Sequence, residues 1–234
     1  MNLLYPKRCP GCDDVLYDRK SAIRPRICAV CEKKLPCIRQ PICLKCGKQL
    51  DEEEAELCGD CRRRTHFFER GMAAFSYSDL MKNSMYAFKY NNRREYAEFY
   101  AESIYSLAGE AVRAWRAEVM IPVPLHRSRE RARGYNQANV LAGCLSPLLG
   151  IPVDNEILYR IRKTIPQKEL NDRDRLGNIK NAFITAANDV KYKRIILVDD
   201  IYTTGTTIDE CARCLKAAGA EKVFFLTVCV GRGF

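Results

Sequence analysis

The chain has 234 residues, of which 47% are hydrophobic and 29% charged, and its formal net charge is +10. This is the composition of a folded globular protein, and it excludes disordered and collagen-like chains. The longest apolar run, Val223–Val230, falls far short of the roughly 20 residues a membrane span needs, and the N-terminus has no apolar signal-peptide core. The compartment is therefore expected to be cytoplasmic and reducing. Two histidines, His66 and His126, leave little for a histidine triad or a multi-histidine metal site. Neither a Walker-type phosphate loop nor a dinucleotide glycine fingerprint is present.

Nine of the thirteen cysteines lie in the first 61 residues. Eight form four CxxC pairs: Cys9/Cys12, Cys28/Cys31, Cys43/Cys46 and Cys58/Cys61. Two cysteines three apart in a tight turn aim both sulfurs at one ion, and two pairs complete a tetrahedral zinc site. A reducing compartment favours metal over disulfides. Sites closed by four thiolates leave no position for water, so two structural zinc ions are expected, within a small Cys-rich zinc-ribbon domain over residues 1–64. Sequential pairing closes the shortest loops. Cross-bracing costs only about 0.6 kcal/mol per doubling of loop length, so entropy does not separate the two schemes. The sequential scheme is the expectation, with Cys37 as a spare or alternative ligand.

The positive charge concentrates in residues 62–134, which carry 14 basic and 8 acidic side chains. Arg62, Arg63 and Arg64 read either as a solvated linker or as a nucleic-acid contact. Beyond them the pattern turns α/β. A short strand is predicted over Gly71–Tyr77, a helix over Asp79–Tyr90 behind a Ser78 cap, and a longer helix over Arg94–Trp115. An apolar strand, Glu118–Pro124, leads into an arginine-rich loop with Arg127, Arg129, Arg131 and Arg133, closed by Gly134. Arginine forks suit phosphate oxygens, and His126 beside them has no evident catalytic role. A helix follows over Asn136–Leu149, then strand-like Ile157–Ile161, an apolar strand Arg194–Asp199, a helix Thr206–Ala218 and a strand Lys222–Val230. Apolar strands alternating with helices indicate a parallel sheet covered on both faces, whose ligands bind beyond the carboxyl ends of the strands. Cys144 and Cys229 read as buried core thiols. Cys211 and Cys214 share a helix face without the context of a redox motif.

Ile195–Thr207 is the most informative stretch. An apolar strand runs into Asp199 and Asp200, and a short loop of Thr203, Thr204, Gly205, Thr206 and Thr207 opens a helix. Backbone N–H groups at a helix start, with threonine hydroxyls beside them, make a phosphate cradle. Carboxylates next to it accept hydrogen bonds from hydroxyls and help to hold Mg²⁺, a combination suited to a sugar phosphate with a vicinal diol.

This string resembles the motif by which type I phosphoribosyltransferases bind 5-phosphoribosyl 1-pyrophosphate (PRPP). The resemblance implies that Asp199 and Asp200 meet the ribose hydroxyls, that Thr203–Thr207 hold the 5′-phosphate, and that the segment with Arg127, Arg131, Arg133 and Gly134 meets the pyrophosphate. Together with the cysteine pairs, FKY at Phe88–Tyr90, RGYNQ at Arg133–Gln137 and the Gln167–Phe183 string, it resembles the ComF family of competence proteins over nearly the whole chain. Tyr135 stands where many members have Phe. The implied architecture is a phosphoribosyltransferase-like domain over residues 65–234 behind the zinc ribbons, with a mobile loop at Gln167–Asn178 closing over PRPP. The implied function is handling of single-stranded DNA in uptake and natural transformation. PRPP with Mg²⁺, single-stranded DNA and DNA-uptake or helicase proteins are the expected partners. Tyr86, Phe88 and Tyr90 read either as helix core or as a stacking track for a single strand. The alternative is an active Mg²⁺-dependent phosphoribosyltransferase acting on an unidentified nucleobase or nucleotide-related acceptor.

Overall fold

The computed structural model describes residues 6–16, 26–162, 181–187 and 189–231. Gln167–Asn178, expected to form the mobile loop, lies outside the described residues. Four strands, β1 (Arg70–Ser76), β2 (Val119–Pro122), β5 (Arg194–Tyr202) and β6 (Lys222–Val230), form one sheet in the order β1-β6-β5-β2. All three pairings are parallel, with Arg70 opposite Phe224, Arg194 opposite Lys222 and Val119 opposite Ile195. Five consecutive buried residues in β1 and eight in β6 account for the unbroken apolar runs in the sequence.

Helices α4 (Tyr96–Trp115) and α6 (Gln137–Leu149) pack on each other and on the same face of the sheet. The opposite face carries α7 (Thr206–Ala217) and a separate antiparallel pair, β3 (Leu158–Arg160) with β4 (Phe183–Thr185). The predicted strand Ile157–Ile161 therefore exists in shortened form but stands outside the parallel sheet, and its partner β4 was not expected. Three-residue strands of mixed burial carry too little periodicity to be placed from sequence.

Local chemistry explains the helix boundaries. Ser78 caps α3 (Asp79–Tyr90), its hydroxyl accepting from the Met81 N–H, and Asn136 caps α6 by accepting from the Ala138 N–H. The arginine-rich stretch, expected as a loop, is a short helix, α5 (Arg127–Arg133). Its N-cap is His126, which accepts from the Ser128 N–H at 3.2 Å, and left-handed Gly134 closes it. Good helix formers between two capping residues override the reading of a charge-dense segment as loop.

The N-terminal segment joins the sheet edge. The Ile38 N–H donates to Ala74 and the Ser76 N–H to Pro36, so the chain around Cys37 pairs with the otherwise open side of β1. Asp13 of the same segment takes a bidentate bond from Arg93, which lies between α3 and α4. Two short helices, α1 (Ala29–Glu32) and α2 (Gly59–Arg63), begin directly after Cys28 and Cys58.

Aromatic rings fill both faces of β6. Trp115 stacks on Phe224 on one side, at 4.7 Å and 6°, and Tyr202 stacks on Phe225 on the other, at 4.7 Å and 6°. Gly71 makes room for that second stack, since a Cβ there would lie 2.0 Å from Phe225 Cε1. Gly71→Ala is expected to destabilise the fold by about 1–3 kcal/mol through this overlap. Urea denaturation checks it, and an unchanged midpoint would show that the ring gives way freely.

Candidate functional site: an acidic floor beneath a threonine loop

β5 runs past Asp199 and Asp200 to Tyr202, three residues beyond the predicted strand end. Both acidic residues therefore lie within the strand, Asp199 opposite Thr227 of β6 and Asp200 one residue past the predicted end. Asp200 is buried, and two helices meet on it. The Lys89 ammonium, from the last turn of α3, forms an ion pair with its carboxylate. Gln137 Nε2, from the first turn of α6, donates to Asp200 Oδ1 at 3.3 Å. The Gln137 carbonyl oxygen in turn accepts from the Arg133 guanidinium at the end of α5. FKY, RGYNQ and VDD, far apart in sequence, thus share one network.

The two carboxyls are shifted in opposite directions. Burial works to push both up. At Asp200 the adjacent Lys89 ammonium overrides it and holds the carboxyl below the usual range. Burial also opposes the Lys89 charge, yet the Asp200 carboxylate raises its pKa, so the pair is ionised. Asp199 has burial and the neighbouring Asp200 charge against it, and it is pushed well above the usual carboxylate range.

The loop above this floor is Thr203, Thr204 and Gly205, leading into α7. Gly205 has φ +79°, and a Cβ there would lie 2.5 Å from the Tyr202 hydroxyl oxygen. The turn needs glycine on both counts. The hydroxyls of Thr204 and Thr206 lie 2.9 Å apart. The Asp209 N–H donates to the Gly205 carbonyl, so α7 starts directly at the loop.

A second support comes from the N-terminal segment. His66 Nδ1 meets Asp209 Oδ2 at 2.6 Å, and the Phe67 N–H donates to Asp209 Oδ1 at 2.8 Å, so both oxygens of a first-turn α7 carboxylate are held. His66 stacks on Phe68 at 4.7 Å, and Phe68 meets Tyr202 and Phe225 edge-on. This wedge begins five residues after Cys61.

The eight expected metal ligands form two groups, Cys9/Cys12/Cys28/Cys31 and Cys43/Cys46/Cys58/Cys61, each with its sulfurs within 4.8 Å of one another. Tetrahedral zinc with Zn–S near 2.3 Å sets sulfurs about 3.8 Å apart. The Cys12–Cys28 and Cys46–Cys58 separations are 3.9 and 3.6 Å. Backbone N–H groups of Gly11 and Cys28 point at Cys9 Sγ and that of Cys31 at Cys28 Sγ, each at 3.4 Å, as suits thiolates. The donor sets fit zinc, and the grouping is sequential. Cys37 is exposed and belongs to neither group.

Of the other expected site residues, Arg127 and Arg131 are exposed on α5, while Arg133 is half-buried, its guanidinium 5.1 Å over the Tyr90 ring. Arg62, Arg63 and Arg64 are exposed on and after α2, with Arg63 paired to Asp60. Tyr86 and Tyr90 are exposed, but Phe88 is fully buried against Tyr100 and belongs to the core, so it is no part of a stacking track. Cys229 is buried as expected and Cys144 only half-buried. Cys211 is buried, and the half-buried Cys214 thiol donates to the Phe183 carbonyl. Sequence reasoning missed Lys89, Gln137 and the His66–Asp209 contact. Lys89, a charge at the end of an amphipathic helix between two aromatics, was a usable signal; the His66 contact joins residues 143 apart and left none.

Residues 1–62 match the family described as double zinc ribbon domain, and residues 136–233 match the phosphoribosyl transferase domain family. Fold and sequence together define a phosphoribosyltransferase-type α/β protein with a double zinc ribbon. Competence protein F of Haemophilus influenzae is 33% identical over 221 residues, covering 92% of this chain and 93% of that protein. Competence protein ComFC of Bacillus subtilis is 31% identical over 229 residues, covering 90% and 89%. The DNA utilization protein YhgH of Salmonella typhimurium is 30% identical over 175 residues, covering 74% and 77%. The chain belongs to the ComF family of competence proteins. Among the described residues no helix is long and apolar enough to cross a membrane.

Metal analysis of the purified protein is expected to find two zinc ions per chain, one after Cys46→Ser, and still two after Cys37→Ser. Loss of zinc in the Cys37 variant would contradict the placement of Cys37 outside both groups.

Proposed function

We propose that the chain binds Mg²⁺-complexed PRPP at the acidic floor and threonine loop, and acts in the cytoplasm on single-stranded DNA brought in by uptake. The observation that carries this reading is the convergence of Asp199, Asp200 and the Thr203–Thr207 loop at the carboxyl end of β5. A pentose phosphate has two faces to recognise. Its phosphate suits the backbone N–H groups at a helix start and the hydroxyls of the loop, and its diol suits carboxylates that only accept. The arginines of α5 offer the pyrophosphate a cationic wall, and Lys89 holds Asp200 ionised beneath the ring.

The DNA part of the reading draws on the names of the relatives and on charge. The exposed arginines of α5, and separately Arg62–Arg64, offer basic groups suited to a phosphate backbone. A cavity of about 530 Å³ beside Arg127, bordered by Leu125, Asn139, Tyr159 and Ile184, favours a second reading. In that reading an acceptor placed there takes the phosphoribosyl group and releases pyrophosphate.

Calorimetric titration of Mg²⁺-PRPP tests the proposal. Binding is expected for the wild type and at least a roughly tenfold loss for Asp199→Asn/Asp200→Asn, with Thr204→Ala/Thr206→Ala as a second variant that leaves Lys89 paired. Asp199 starts with its pKa raised, and accepting from the diol needs it ionised. Binding is therefore expected to release protons and to weaken as the pH falls through that raised value. Titration in buffers of different ionisation heat reads the proton release. No binding to folded wild-type protein would overturn the proposal, and pyrophosphate formed on adding an acceptor would favour the second reading.

A further inference from the structure

The exposed face of α3 carries two large aromatic side chains that the fold does not use. Tyr86 and Tyr90 lie one helical turn apart, are 56% and 60% exposed, and have ring centroids 5.0 Å apart at a 44° tilt. The other face of α3 buries Met81, Met85 and Phe88. Exposed Lys82 continues the stripe one turn earlier, and α3 has no acidic residue after Asp79. Arg133 lies over Tyr90, and exposed Arg94 lies 4.4 Å over the neighbouring Tyr135 ring.

The position of the pair is as telling as its composition. Lys89, adjacent to Tyr90, turns inward to Asp200, and Arg133 bonds Gln137, which bonds Asp200. The aromatic stripe thus ends at the rim of the acidic floor. Adjacent exposed aromatics flanked by arginine and lysine are the chemistry that holds unpaired bases: rings take the bases, and cations take the phosphates between them.

We propose that Tyr86 and Tyr90 form a stacking site for consecutive bases of single-stranded DNA, which leads the strand to the edge of the PRPP site. This rests on the DNA part of the function proposed above. The test is fluorescence anisotropy of labelled oligo(dT) with the full-length, zinc-loaded protein over a series of salt concentrations. Tyr86→Ala/Tyr90→Ala is expected to weaken binding about tenfold or more, with the slope of log affinity against log salt unchanged, because stacking releases no counterions. Tyr86→Phe/Tyr90→Phe is expected to keep wild-type affinity. An oligomer of equal length with abasic sites is expected to bind the wild type weakly and to lose little more with the alanine variant.

An alanine variant that melts normally and binds oligo(dT) like the wild type would overturn the stacking site and leave the proposed function standing. A wild type that binds no oligo(dT), yet binds PRPP in calorimetry, would overturn the DNA reading and the stacking site together. Tighter binding of oligo(U) than of oligo(dT) would overturn the assignment to DNA.

Discussion

The ion pair between Lys89 and Asp200 is the constraint around which the site is built. Two charges withdrawn from water gain little net stability from each other, but removing either leaves the other buried without a counter-charge, at a cost of about 3–5 kcal/mol. The pair therefore specifies position more than it stabilises. It fixes the end of α3 against the end of β5, and Gln137 brings the start of α6 to the same carboxylate. It also separates the two acidic side chains electrically. Asp200 has its counter-ion in Lys89, while burial and the neighbouring Asp200 charge push the Asp199 carboxyl up.

The threonine loop is held from the opposite side. Its helix has a first-turn carboxylate, Asp209, bonded at both oxygens by His66 and Phe67, and its glycine turns over the ring of Tyr202. Phe68 and Phe225 pack against that ring. All of this follows directly on the second cysteine group. A segment with few buried apolar side chains of its own gains rigidity from four thiolates on one ion, and transmits it through a short aromatic wedge. The ribbon is thus part of the foundation of the threonine loop as well as an attached module.

Much of the chain is legible before any coordinates. The β5 to α7 unit is readable because each signal agrees: an apolar run, then carboxylates, then threonines and glycine, then an amphipathic helix. The eight cysteine ligands are readable from spacing, which leaves open the pairs that share an ion. What the sequence hides is of two kinds. The arginine segment looks like a loop because its charge density masks a short capped helix. The contacts Lys89–Asp200 and His66–Asp209 join residues more than a hundred apart, and single-residue chemistry gives no hint of which acid each base will find. Phe88 and Tyr90, two positions apart, differ completely in exposure, and only the helix phase set by the Lys89 contact and the core separates them.

The central claim is that the loop of Thr203 to Thr207, standing over the acidic floor, is where a phosphorylated pentose sits. Hydrogen–deuterium exchange with and without Mg²⁺-PRPP addresses it most directly, because it reads those amides themselves. The account expects slowed exchange in the peptide spanning residues 203–207, with a smaller effect at the end of α3, and no protection from Mg²⁺ alone. Unchanged exchange in that peptide at saturating PRPP would contradict it.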